Sequence, residues 1–114
     1  MILQNKLDEE TWMINPGKVL DNNNAHEIAD AISTAQTEGY PYIILDMKEL
    51  EFLSSAGVGS ILGSVETSRE KGGDIVLRNV PEKIRHILEV LDLLDYLTIS
   101  SNEKTVEELN ITRS

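Results

Sequence analysis

The chain contains no cysteine, which removes disulfides, thiolate metal sites and a cysteine nucleophile together. Aromatic residues are scarce, 4% of the sequence, with Trp12 and Phe52 the only members of their kinds beside three tyrosines. The core must therefore be mostly Ile, Leu and Val. Positive charge is short as well. Ten Lys and Arg stand against twenty Asp and Glu, a formal net charge of −10. That deficit argues against nucleic acid, whose phosphates demand a basic surface, and against an anionic membrane surface. An acidic surface suits solubility or a basic protein partner. No run approaches the roughly 18–20 apolar residues of a membrane helix. The start, Met1-Ile2-Leu3-Gln4-Asn5-Lys6, lacks the apolar stretch of a signal peptide. A cytosolic protein is the expectation.

What is present is ordinary in bulk: 114 residues, 40% hydrophobic and 26% charged. This is the size and balance of one globular domain spanning 1–114. Ile2–Asp8 and Thr11–Asn15 read as two short strands joined by polar residues, and Pro16-Gly17 breaks what precedes it. The cap-rich Asp21-Asn22-Asn23-Asn24 leads into Ala25, Ile28, Ala29, Ile32 and Ala35 at helical spacing, closed by Gly39. Tyr42–Met47 is a continuous apolar run, the signature of a strand buried on both faces. A helix follows from about Ser55 to Lys71, then a buried strand over Asp74–Asn79. Pro81 suits the first turn of a third helix, whose Ile84, Ile87, Leu88 and Leu91 share a face. Tyr96–Ser100 reads as a last strand and Glu103–Asn110 as a small final helix. Strands alternating with helices imply a sheet with parallel pairs under helical cover, and the leading hairpin adds an antiparallel pair.

Several chemistries find no support. Gly57-x-Gly59-x-x-x-Gly63 departs from the dinucleotide-binding spacing and lacks its tight turn. His26 and His86 lie on separate helices without converging ligands, so metal or proton-transfer roles have no basis and solvent-facing histidines are expected. There is no nucleophile elbow of the G-x-S-x-G kind. Trp12 is read as a core or sheet-surface residue. Lys6, Lys18 and Lys48 are too scattered for a phosphate-binding patch. No catalytic residue, metal or cofactor is expected.

The informative stretch runs from Asp46 to Gly63. The apolar Tyr42-Ile43-Ile44-Leu45 ends at Asp46, a loop follows, and Ser54-Ser55 stand at the start of a helix. Free backbone N–H groups and the helix dipole favour an anion there, so a phosphate can be carried on either hydroxyl. Asp46 either orients a serine hydroxyl or holds the loop. On a helical projection from Ser55, Val58, Ile61, Leu62 and Val65 form the core face. Almost opposite lie Ala56, Gly59, Ser60, Gly63 and Thr67, small residues where a solvated helix carries long polar ones. Each interior Gly costs about 0.5–1 kcal/mol relative to Ala. Such a face implies a close neighbour: a docked protein, or a loop of the same chain.

These residues carry a specific resemblance. Apolar strand, Asp, loop, Phe-Leu-Ser-Ser-Ala-Gly-Val-Gly and amphipathic helix together resemble the STAS domain of bacterial anti-sigma factor antagonists. Gly17-Lys18-Val19-Leu20-Asp21-Asn22-Asn23-Asn24-Ala25 resembles the family's approach to its first helix. Gly72-Gly73-Asp74-Ile75-Val76-Leu77 resembles its fourth strand, and Leu91-Asp92-Leu93-Leu94-Asp95-Tyr96-Leu97 its third-helix exit. The likeness covers about residues 4–110. It implies an α/β fold, a mixed sheet of four to five strands with about four helices mainly on one side. It also implies partner switching by a non-enzymatic module, monomeric or weakly dimeric. The unmodified form binds an anti-sigma factor serine kinase and frees a sigma factor. Phosphorylation at the start of the second helix releases the kinase, and a PP2C-type phosphatase reverses it.

One departure bears on the site. Familiar members carry Asp-Ser-Ser-Gly or Asp-Ser-Thr-Gly with the acceptor directly before Gly, whereas here Ala56 precedes Gly57 and Ser54 replaces the Asp. Ser55 is then the expected acceptor and Ser54 the second choice. Ser54, Ala56, Gly57, Gly59, Ser60 and Gly63 are the expected docking residues. The resemblance adds Asp21, Asn22 and Asn24. The alternative is a constitutive scaffold or signalling domain in which both serines only cap the helix.

Overall fold

The computed structural model describes residues 2–100; the helix expected over Glu103–Asn110 lies outside them. Strands β1 (Leu3–Asp8) and β2 (Thr11–Asn15) form the antiparallel hairpin. Then come β3 (Val19–Leu20), α1 (Ala25–Thr37), β4 (Tyr42–Asp46), β5 (Phe52–Leu53) and α2 (Ser55–Glu70). The described chain finishes with β6 (Asp74–Arg78), α3 (Glu82–Val90) and β7 (Thr98–Ser100). The main sheet has the order β1-β2-β4-β6-β7, and every pair after the first is parallel.

The register explains why the central strands read as unbroken apolar runs. Ile43 lies beside Trp12 and Ile75, and Leu45 beside Ile14 and Leu77. These residues share one core with Ile28 and Ile32 of α1, Ile61 and Val65 of α2, and Ile84 and Leu88 of α3. The three described helices thus cover one face. The alternate residues Ile44 and Val76 point to the other face with Met13 and Tyr42. Side chains alternate across a strand, so a strand buried on both faces shows no polar period. In α1 the periodic Ala25, Ile28, Ala31, Ile32 and Ala35 are all buried. Gly39 follows the helix at φ +98°, a conformation that only Gly adopts without cost.

Some boundaries differ from the sequence expectation. The last strand starts at Thr98, because Tyr96 and Leu97 both donate backbone bonds to the Leu93 carbonyl and close a turn. Met47 leaves β4 but stays fully buried. Trp12 packs its ring 5.3 Å from that of Tyr40 and donates its indole N–H to Gln4.

One element had no counterpart in the sequence reading. β3 and β5 form a separate two-stranded parallel sheet, with Val19 opposite Phe52 and Leu20 opposite Leu53. Leu20 and Leu53 face the core, while Val19 and Phe52 face solvent. This ladder sits where the chain enters α2. The far end of α2 is pinned independently: Asp74, fully buried, accepts bonds from Arg69 Nε at 3.0 Å and Thr98 Oγ1 at 2.6 Å. The Arg69 guanidinium also lies over the Tyr96 ring.

Candidate docking and phosphoacceptor site

The loop before the serines is held by Asp46. Its buried carboxylate accepts bonds from the Lys48 N–H and the Asn79 side chain, each at 3.2 Å, and lies 3.9 Å from the Arg78 guanidinium. Asp46 holds the loop; among the described residues its bonds do not go to a serine. The chain then joins β3, with the N–H groups of Glu51 and Phe52 both donating to the Lys18 carbonyl. That ladder fixes where α2 begins.

Ser54 is the N-cap of α2. Its backbone is extended, its carbonyl accepts the first helical bond from Val58, and its hydroxyl oxygen accepts the Gly57 N–H at 3.2 Å. The same hydroxyl reaches Asn22 Oδ1 at 3.5 Å. Ser55 is the first helical residue, is exposed, and its hydroxyl has no hydrogen bond among the described residues. Two adjacent serines thus occupy different chemical situations: one hydroxyl is spent on a helix cap, the other is open to solvent at the positive end of the dipole.

The Asp21–Asn24 turn is brought to the same place. Asp21 donates its N–H to Asn24 Oδ1, the Asn24 amide donates to the Val19 carbonyl, and the Asp21 carbonyl accepts the Ala25 N–H. Asn24 takes the N-cap position of α1 without a side-chain cap bond. Its side chain braces the turn, which leaves Asn22 exposed beside Ser54.

Of the small residues on α2, Gly57 is placed apart from the rest. It is buried, and a Cβ there would come 2.7 Å from the Leu20 carbonyl oxygen. Its lack of a side chain serves the approach of α2 to β3. Gly59 and Gly63 are exposed, and a Cβ on either would meet nothing within 4 Å. Among the described residues no loop of the chain covers them. Ser60 is half-buried and donates to the Ala25 carbonyl at 3.4 Å. A shallow groove of about 330 Å³ runs between the helices, with Ala29, Ser33 and Gln36 of α1 facing Gly59, Gly63 and Thr67 of α2.

Sequence reasoning missed the α1 wall of this groove and the outward pair Val19 and Phe52. No period marks a two-residue strand, so only the pairing partner reveals which side chain points out. No cationic side chain bonds to Ser54 or Ser55 among the described residues. His26 and His86 are both exposed, with His86 3.6 Å from Glu89. The described residues contain no group of three potential metal ligands, and none of their helices is long and apolar enough to cross a membrane.

With this geometry in view, comparison with known proteins is specific. A family model described as the STAS domain matches residues 4–106. The anti-sigma F factor antagonist of Paenibacillus polymyxa is 31% identical over 77 residues, which cover 68% of this chain and 63% of that protein. The aligned part thus spans somewhat under two thirds of that relative's length. The anti-sigma factor antagonist SpoIIAA in its unphosphorylated form superposes with a TM-score of 0.78 at 25% identity, over 99% of this chain and 96% of that one. The phosphorylated form of SpoIIAA, from Bacillus, gives a TM-score of 0.74 at 24% identity, over 96% and 99% of the two chains.

Proposed function

The chain belongs to the STAS domain family, and on that footing we propose that it is a phosphorylation-controlled anti-sigma factor antagonist acting in the cytosol. In its unmodified form it docks on an anti-sigma factor serine kinase, and the sigma factor is freed. Phosphorylation of Ser55 ends the complex, and a PP2C-type phosphatase restores the binding form. The observation that carries this reading is the division of labour at the start of α2. Ser54 caps the helix while the Ser55 hydroxyl is exposed and unbonded among the described residues, about one turn from Gly59 and two from Gly63, both uncovered.

The energetics favour a switch over a denaturing event. A phosphate adds about −1.5 to −2 charges near neutral pH. At a helix N-terminus that charge is favourable by about 0.3–1 kcal/mol. Buried in an interface without paired cations, it costs several kcal/mol, and each 1.4 kcal/mol is about tenfold in affinity. Exposed Glu49 and Glu51 lie on the loop that leads to the serines and add repulsion at short range.

The test is incubation with the cognate kinase and ATP, read by mass spectrometry. One phosphate on Ser55 is expected; none, or one confined to residues other than Ser54 and Ser55, defeats the switch. Ser55→Asp should weaken kinase binding with the thermal midpoint nearly unchanged. A constitutive scaffold is the second reading, and the cap favours it, because the Ser54 hydroxyl already accepts the Gly57 N–H and so has a structural role without any phosphate. Under that reading kinase binding is indifferent to ATP, whereas under the first Ser55→Ala abolishes an ATP-dependent release.

A further inference from the structure

The docking face described so far contains no large side chain. Ala56, Gly59, Ser60, Gly63 and Asn22 offer close approach, whereas most of the energy of protein interfaces comes from a few large anchors seated in pockets, aromatic ones above all. The β3–β5 ladder supplies such an anchor. Val19 and Phe52 are directly opposite each other, 40% and 52% exposed, while their neighbours Leu20 and Leu53 fill the core. Phe52 is the sole phenylalanine of the chain and stands two residues before the capping Ser54. Single exposed apolar residues such as Leu3 are normal on any surface. A facing aromatic–aliphatic pair at the entry to the phosphoacceptor helix is a different matter. It forms one raised ridge, held rigid by the ladder and by the Ser54 N–H bond to the Leu20 carbonyl.

We propose that the Val19–Phe52 ridge is the apolar anchor by which this domain holds its partner, and that it seats in an apolar socket rimmed by Lys or Arg on the anti-sigma factor kinase. This rests on the function proposed above. The rim chemistry follows from charge. Asp21, Glu49 and Glu51 flank the ridge in sequence and outnumber Lys18 and Lys48, on a chain with net charge −10. A basic rim steers the approach and leaves the affinity to the buried ring. Those cations are engaged by Asp21, Glu49 and Glu51, so a phosphate on Ser55, three residues from the ring, enters the edge of the dry contact unpaired.

The experiment is titration calorimetry of the unphosphorylated full chain against the anti-sigma factor kinase encoded in the same genome. Phe52→Ala should weaken binding about thirtyfold, the usual loss at an interfacial anchor. Phe52→Leu should recover most of it. Val19→Thr keeps the β-branched shape and should cost a smaller factor, so it serves if Phe52→Ala fails to fold. Val90→Ser, on the end of α3, should bind as the unmutated chain does. Undiminished binding by folded Phe52→Ala, or an equal loss in Val90→Ser, overturns the ridge and leaves the switch standing. Absence of binding by the unmutated chain overturns both.

Discussion

On the inner side of α2, a methyl group at Gly57 would lie 2.7 Å from the Leu20 carbonyl oxygen and 2.9 Å from the Leu20 side chain. On the outer side, the same group at Gly59 or Gly63 would meet nothing within 4 Å among the described residues. The inner glycine is explained by the fold: without it α2 could not lie against β3. The outer glycines receive nothing from the fold, yet each carries the backbone entropy cost of Gly in a helix. A residue that costs stability and serves no internal contact points outward for its explanation, and the groove beside α1 is where a partner backbone can come close.

Substitutions can break that contrast. The largest effect belongs to Gly73, another inward glycine, where a Cβ would fall 1.7 Å from the Pro41 carbonyl oxygen. Gly73→Ala should cost more than about 4 kcal/mol or abolish folding, as read by circular dichroism and urea titration. Gly57→Ala should cost about 1–3 kcal/mol by overpacking against β3, visible as a lowered urea midpoint with an unchanged slope. The two serines sharpen the same comparison at a smaller scale. Ser54→Ala loses the cap and about 1 kcal/mol, whereas Ser55→Ala should fall within about 0.5 kcal/mol of the parent; equal losses would erase the distinction. Comparably small but opposite in sign to the cap loss, Gly59→Ala and Gly63→Ala should each raise stability by about 0.5–1 kcal/mol while weakening kinase binding. A stability loss at either would show a hidden internal role.

Much of the fold is legible because burial imposes a period. Ala25, Ile28, Ile32 and Ala35 repeat at helical spacing, and β4 and β6 announce their double burial by lacking any period. The hairpin and the alternation of strands with helices follow from the same logic. What stays hidden is short or depends on a partner. Val19-Leu20 and Phe52-Leu53 are dipeptides that become strands only by pairing with each other. Nothing local to Phe52 marks which way it faces, and only its register shows it outward. Ser54 and Ser55 are equivalent hydroxyls until the helix start is known to one residue, and the Lys18 and Leu20 carbonyls set that start. The placement of Asn22 beside Ser54 joins segments 32 residues apart, which no local pattern announces.

The register shift in β1 has a consequence of its own. All six β1 residues are exposed, and β1 forms an outer edge of the five-stranded sheet. An open strand edge is a template onto which another chain can add, copy after copy, into a fibre. Here the ladder is regular only from Leu3 to Lys6 and slips between Lys6 and Asp8. A strand recruited from another molecule would find roughly 13 Å of straight template, ending at the charges of Lys6, Asp8 and Glu9. A displaced residue in the first hairpin thus shortens the template that an added strand would need.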